Sequence, residues 1–124
     1  MLLDSAFVID LMNGLPEAIT RQARIHEVGD ELVINEIVVC EVRAGLRGDG
    51  VERFERLLGP VEFIQPGPET ALLAGSWREA ARNRGRHLSL ADALIAAAAD
   101  AVGAAVLTRN VRDFALTPVR IETY

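Results

Sequence analysis

The chain has 124 residues, half of them hydrophobic and a quarter charged, enough for one domain with a sizeable core and too apolar for disorder. Its 13 basic and 18 acidic residues leave a net charge of −5, which argues against nucleic-acid binding by bulk positive charge alone. All 13 basic residues are arginine, so Walker-type phosphate binding, Schiff-base catalysis and lysine-dependent aspartyl phosphorylation are excluded.

In chain order, residues 1–3 read as a short apolar strand, and 5–12 carry helical spacing that stops at Asn13-Gly14. Pro16 opens a second helix that Gly29 closes. Leu32-Val33-Ile34 reads as a second strand, and a helix follows through Val38, Val39, Val42 and Leu46, with Gly45 and Gly48 near its end. Residues 51–58 form a short amphipathic helix, and 61–64 a third strand ahead of Pro66. A long helix over 69–84 ends at Gly85, and an Ala-rich helix over 89–102 ends at Gly103. Ala105-Val106-Leu107 is a fourth strand and 119–121 a fifth. This alternation predicts an α/β fold in one domain over 1–124, with a four- or five-stranded parallel sheet covered on both faces. With aromatics at 5%, the core is expected to rest mainly on Ala, Val, Leu and Ile.

The start Met1-Leu2-Leu3-Asp4 lacks the cationic opening of a signal peptide, and no run reaches the roughly 18 apolar residues of a membrane span. A cytoplasmic protein with no membrane partner is expected. Cys40 is the single cysteine and has no base beside it in sequence, so neither a disulfide nor a thiol nucleophile is expected. His26 and His87 lack metal-ligand spacing.

In open parallel sheets, functional groups gather at the carboxyl ends of strands and at the helix starts beyond them. Asp4 directly follows the first strand, where a helix cap is its ordinary role. Glu41 interrupts the apolar run Val38-Val39-Cys40-Val42; a solvent-facing helical position would explain it. Asp92 closes Ser89-x-x-Asp92 and Asp113 closes Asn110-x-x-Asp113, both capping-box-like spacings. Singly, each acid has such a structural explanation. Together, Asp4, Asp92 and Asp113 are expected at one crevice on the sheet's carboxyl edge that Glu41 could also reach; the spacing makes such convergence geometrically cheap without proving it. Four carboxylates in one place repel unless cations compensate, and Mg²⁺ or Mn²⁺ are the hard ions that suit oxygen ligands. Such ions serve phosphate chemistry, activating water and stabilising a leaving oxygen.

Four segments resemble the motifs of PIN-domain ribonucleases, in that family's order and across almost the whole chain. They are Leu3-Asp4-Ser5 with Val8-Ile9-Asp10-Leu11, then Val39-Cys40-Glu41-Val42-Arg43-Ala44-Gly45, then Leu90-Ala91-Asp92-Ala93-Leu94-Ile95-Ala96-Ala97, then Leu107-Thr108-Arg109-Asn110-Val111-Arg112-Asp113-Phe114. The length is similar to that of the compact VapC toxins of VapBC toxin–antitoxin modules. The resemblance implies a three-layer α/β/α domain and a metal-dependent endoribonuclease that leaves a 5′-phosphate and a 3′-hydroxyl. It implies metal-binding and catalytic roles for Asp4, Glu41, Asp92 and Asp113, with one or two Mg²⁺ or Mn²⁺ ions. Asn110, Thr108 and Ser5 would orient ligands or water; Ser5 stands where many relatives carry Thr, a departure that keeps the hydroxyl. The implied partners are RNA, a cognate VapB-type antitoxin and a second copy of the toxin in a homodimer. The rival is a PIN-like module that binds RNA or a partner without cutting.

Of the remaining polar residues, Asp10 and Asp100 are expected at the surface, Asp10 at most as a minor helper. Arg78, Arg82, Arg84 and Arg86 with His87 form the only dense basic segment, read either as a solvated helix face or as a phosphate contact. Arg43, Arg47, Arg109 and Arg112 flank the acids, and Trp77 is read as packing rather than base stacking.

Overall fold

Every one of the short apolar runs becomes a strand, and every long spacing between them becomes helix. The computed structural model describes residues 1–124. In order the elements are β1 (Leu2–Leu3), α1 (Ser5–Met12), α2 (Pro16–Glu27), β2 (Val33–Asn35), α3 (Glu36–Ala44) and α4 (Gly50–Leu58). Then come β3 (Glu62–Ile64), α5 (Pro68–Asn83), α6 (Leu90–Ala101), β4 (Val106–Leu107), α7 (Val111–Phe114) and β5 (Ile121–Glu122).

The five strands are all parallel in the order β3-β2-β1-β4-β5, with Leu2 opposite both Val33 and Val106, and Leu3 opposite Leu107. The chain leaves β1 toward β2 and β3, then returns to lay β4 and β5 on its other side. The switch point, where a parallel sheet opens a crevice at its carboxyl edge, therefore lies between β1 and β4. Connections between parallel strands are right-handed as a rule, so crossovers leaving β1 in both directions lay helices on both faces, in the three-layer α/β/α arrangement.

Caps set the helices that frame this edge. Asp4 accepts from the Ser5 N–H at the head of α1, Asn35 from the Val38 N–H at α3, and Ser89 from the Asp92 N–H at α6. Gly85 (φ 69°) and Gly103 (φ 67°) turn the chain left-handed beyond α5 and α6.

Residues of α1, α3, α6 and the central strands form the main core. Five residues, Ala74, Ala81, Leu88, Ala93 and Ala97, make a second cluster that lets α5 and α6 approach closely. The core is built mainly from Ala, Val, Leu and Ile, as the low aromatic content predicts, with the small side chains of α6 among them. Phe7, Phe54 and Phe114 are fully buried and are its largest side chains; only Phe63 is exposed.

The elements match the expected ones with small displacements. β2 and β5 form one residue or more further along than the apolar runs suggest, because their register follows the hydrogen bonds of β1 and β4 rather than hydropathy. The helix expected to run through Leu46 stops at Ala44. The four-residue α7 is too short to show any periodicity in sequence.

Candidate active site

Asp4 stands where β1 gives way to α1 and is 3% exposed. Both carboxylate oxygens are engaged. The Ser5 N–H donates to Oδ1 at 2.8 Å, and the Thr108 hydroxyl, at the end of β4, donates to Oδ2 at 2.6 Å. Thr108 Oγ1 in turn accepts from the Asn110 N–H at 2.9 Å. Asp4 is thus both a cap and the member of the acid group most firmly held across the switch point. Burial pushes its carboxyl above the usual range, and the charge of Glu41 adds to that; the hydroxyl of Thr108 and the Ser5 N–H pull the other way.

Glu41 lies on an exposed face of α3, as its solvent-facing explanation required, yet it is turned to the same edge. The Ser5 hydroxyl donates to its Oε1 at 2.6 Å and so bridges α1 to α3.

Asp92 lies in the first turn of α6 and is half-buried. The cap itself is Ser89, whose Oγ accepts from the Asp92 backbone N–H at 3.0 Å. The capping pattern therefore explains Ser89 and the backbone of Asp92, and the Asp92 carboxylate is not the capping group. Burial raises the Asp92 carboxyl, the Ser89 hydroxyl lowers it, and the charges of Asp4, Asp113 and Glu41 all raise it further. One carboxyl on α6 thus feels an acid from α1's cap, one from α3 and one from α7. Asp113 sits exposed on α7, and Asn110 makes no side-chain cap there, so the capping spacing read at 110–113 has no such function.

These four acids are hard oxygen donors, which fits Mg²⁺ or Mn²⁺. No three acidic, histidine or cysteine side chains form a ready-made ligand set as they stand. Mg²⁺ commonly needs only one or two carboxylates and keeps several waters, so the donor chemistry still fits. Of the residues expected to orient ligands, Thr108 and Ser5 do hold acids, while Asn110 acts through its backbone N–H on Thr108.

The structure corrects one expectation. Asp10 is not at the surface but 7% exposed, and it is bound by Arg109 Nη1 at 2.8 Å and by the Tyr124 hydroxyl at 2.6 Å. Its partners lie 99 and 114 positions away, so no local pattern signals them. The buried Asn35 cap was likewise missed, although Asn between an apolar strand and a helix is a recognisable start signal. In the basic segment, half-buried Arg78 donates to the Leu88 carbonyl at 3.1 Å, while Arg82, Arg84, Arg86 and His87 are exposed. Cys40, His26 and Asp100 are exposed, and Trp77 packs against both core clusters.

A family model described as "PIN domain" matches residues 1–118. The chain is 31% identical over 117 residues to "Ribonuclease VapC19" of Mycobacterium tuberculosis, covering 94% of each protein. It also resembles the solved VapBC-1 structure of nontypeable Haemophilus influenzae, with 25% identity and a TM-score of 0.83 over 98% of this chain and 96% of that one. The fold is also that of VapBC2 from Rickettsia felis, solved bound to a DNA fragment from its promoter; there the TM-score is 0.87 at 20% identity, over 99% of this chain and 97% of that one.

Proposed function

The chain belongs to the PIN-domain family, and on that premise we propose that it is an endoribonuclease of the VapC type, the toxin of a toxin–antitoxin pair. The observation that carries the catalytic reading is the Asp92 carboxyl, which burial pushes up first and the charges of Asp4, Asp113 and Glu41 push up further. Evolved helix surfaces do not ordinarily crowd four like charges, because repulsion costs stability unless function requires it.

Asp4, Glu41, Asp92 and Asp113 would hold Mg²⁺ or Mn²⁺. When bound, such an ion activates water and stabilises the leaving oxygen of a phosphodiester. The chain's own part is to fix the donors beforehand. Thr108 and the Ser5 N–H clamp Asp4, the Ser5 hydroxyl holds Glu41, and the α6 N-terminus faces Asp92 with the positive end of its dipole. Because Asp4 and Asp92 hold protons more tightly than free carboxylates, acid pH removes the charges that the ion needs.

The partner proposed is a VapB-type antitoxin, supported by the solved relatives being toxin–antitoxin complexes. Its C-terminal segment would lie near the site and present an Arg or Lys to the acids. A toxin homodimer belongs to the same reading, as does action in the cytoplasm; no helix is long and apolar enough to cross a membrane.

The test is a 5′-labelled structured RNA incubated with the protein and Mn²⁺, with and without EDTA, beside Asp92→Asn. Cleavage that leaves a 3′-hydroxyl on the labelled fragment, and so a 5′-phosphate on the other, and that stops with chelator or with the substitution is expected. Cleavage indifferent to both sinks the mechanism, and RNA binding without any cleavage favours the non-cutting module.

A further inference from the structure

Two carboxylates in this chain are buried, Asp4 and Asp10, and only the first belongs to the proposed cation set. A carboxylate removed from water needs compensation. Asp10 has it from both sides. Arg109 Nη1 stands 2.8 Å from each of its oxygens, and the Tyr124 hydroxyl donates to Oδ2 at 2.6 Å. The Tyr124 ring is itself fixed edge-on against buried Phe7, with centroids 4.9 Å apart and planes at 79°.

The pair is lopsided. The Asp10 side chain is 9% exposed and that of Arg109 is 55% exposed, so the guanidinium is anchored at Nη1 on a side chain that stays more than half open to solvent. Arg109 lies between Thr108, which holds Asp4, and Asn110, whose N–H holds Thr108. It is also the only arginine flanking the acids that has an ion-pair anchor; Arg43, Arg47 and Arg112 are exposed without one. An acidic crevice on a chain of net charge −5 repels a polyanion, so a cation fixed at its rim has a large relative effect. Arginine's planar fork matches a phosphate, and a pre-fixed fork loses less side-chain entropy on binding it.

We propose that Arg109 is a phosphate clamp that seats the RNA strand beside the acids, with Asp10 and Tyr124 as the positioning residues that aim it. This rests on the ribonuclease reading above. The alternative is a tie that merely fastens β5 and Tyr124 to α1.

Binding separates the two without requiring turnover. A fluorescent single-stranded RNA of mixed sequence is titrated by anisotropy into the full chain in EDTA, across a salt series, with a melting temperature recorded for each variant. Arg109→Ala should weaken binding about 5-fold and flatten the salt dependence by about 0.7 in log–log slope, the effect of one lost phosphate contact on a single strand. Arg109→Lys should fall between, retaining charge without the fork. Asp10→Asn and Tyr124→Phe should each weaken binding about 2-fold, Tyr124→Phe while keeping its ring on Phe7. The sign for Asp10→Asn is diagnostic, because simple removal of a negative charge would strengthen RNA binding. In Mn²⁺, Arg109→Ala should raise KM and leave kcat nearly unchanged. Wild-type affinity and slope in Arg109→Ala, tighter binding by Asp10→Asn, or a wild type with no RNA affinity would each overturn the clamp. A wild type that binds with the expected variant pattern but never cuts in Mn²⁺ would overturn the ribonuclease reading instead.

Discussion

Removing the hydroxyl of Thr108 tests how the site is held. Thr108 is fully buried, and its Oγ1 both donates to Asp4 at 2.6 Å and accepts from the Asn110 N–H at 2.9 Å. Thr108→Val keeps the shape, so no cavity opens and the effect is electrostatic. A hydrogen bond to a charged group contributes about 1.5–3 kcal/mol and a neutral one about 1 kcal/mol. Burial of a methyl in place of a hydroxyl returns part of that, so a net loss of about 2–4 kcal/mol is expected near neutral pH. The loss is pH-dependent, with a definite sign. The Thr108 bond favours ionised Asp4, so without it the Asp4 carboxyl rises further above its ordinary 3.8. As pH falls through that raised value the carboxyl protonates and no longer requires the donor, and the difference from wild type shrinks. Urea denaturation of both proteins at neutral and acid pH measures this directly. The double variant with Asp4→Asn isolates the pair, because the Thr108 substitution should cost less once the charge is gone. Mn²⁺ should stabilise Thr108→Val less than wild type, and the acid limb of RNA cleavage should move to higher pH. A cost under about 0.5 kcal/mol, or one equal at both pH values, refutes the clamp on Asp4.

Asp92→Asn should abolish cleavage yet leave the metal-free protein as stable as wild type or about 1 kcal/mol more stable, because it removes a half-buried charge repelled by three others. Its Ser89 cap bond survives, since the donor is the backbone N–H; thermal melts with and without Mg²⁺ check this, and a destabilised, fully active variant is the contrary result. The gain should also vanish on acidification. The raised Asp4 and Asp92 carboxyls contribute stability that is full below their unfolded value and lost as pH rises through the folded one, so wild type and Asp92→Asn should converge toward pH 3.8 in melts of the metal-free proteins. Asn35→Ala should cost about 1–2 kcal/mol by chemical denaturation, because it removes the buried cap of α3 at the Val38 N–H; a neutral result would deny that this cap holds the start of α3.

Much of this protein is written locally. Short apolar runs of Val, Leu and Ile can only pay for their backbone polarity as strands, and the 3.6-residue spacing between them can only bury one face as helix. The order of the elements then restricts the fold to a parallel sheet, and the junctions of strand and helix name Asp4, Asp92 and Asp113 as candidates. Whether they meet was beyond local reading. Glu41 has an exposed helical position in either case, and only the packing of α1 on α3, with Ser5 bridging them, turns it to the same edge. That Ser89 and not Asp92 is the capping side chain likewise rests on which atom accepts which N–H. Asp10 shows the limit most plainly. One turn inside a helix it reads as a surface acid, and its burial depends on Arg109 after β4 and on Tyr124 beyond β5. Pairings at that separation are fixed by sheet order, because parallel strands bring together residues a hundred positions apart with no periodicity along the chain to announce them.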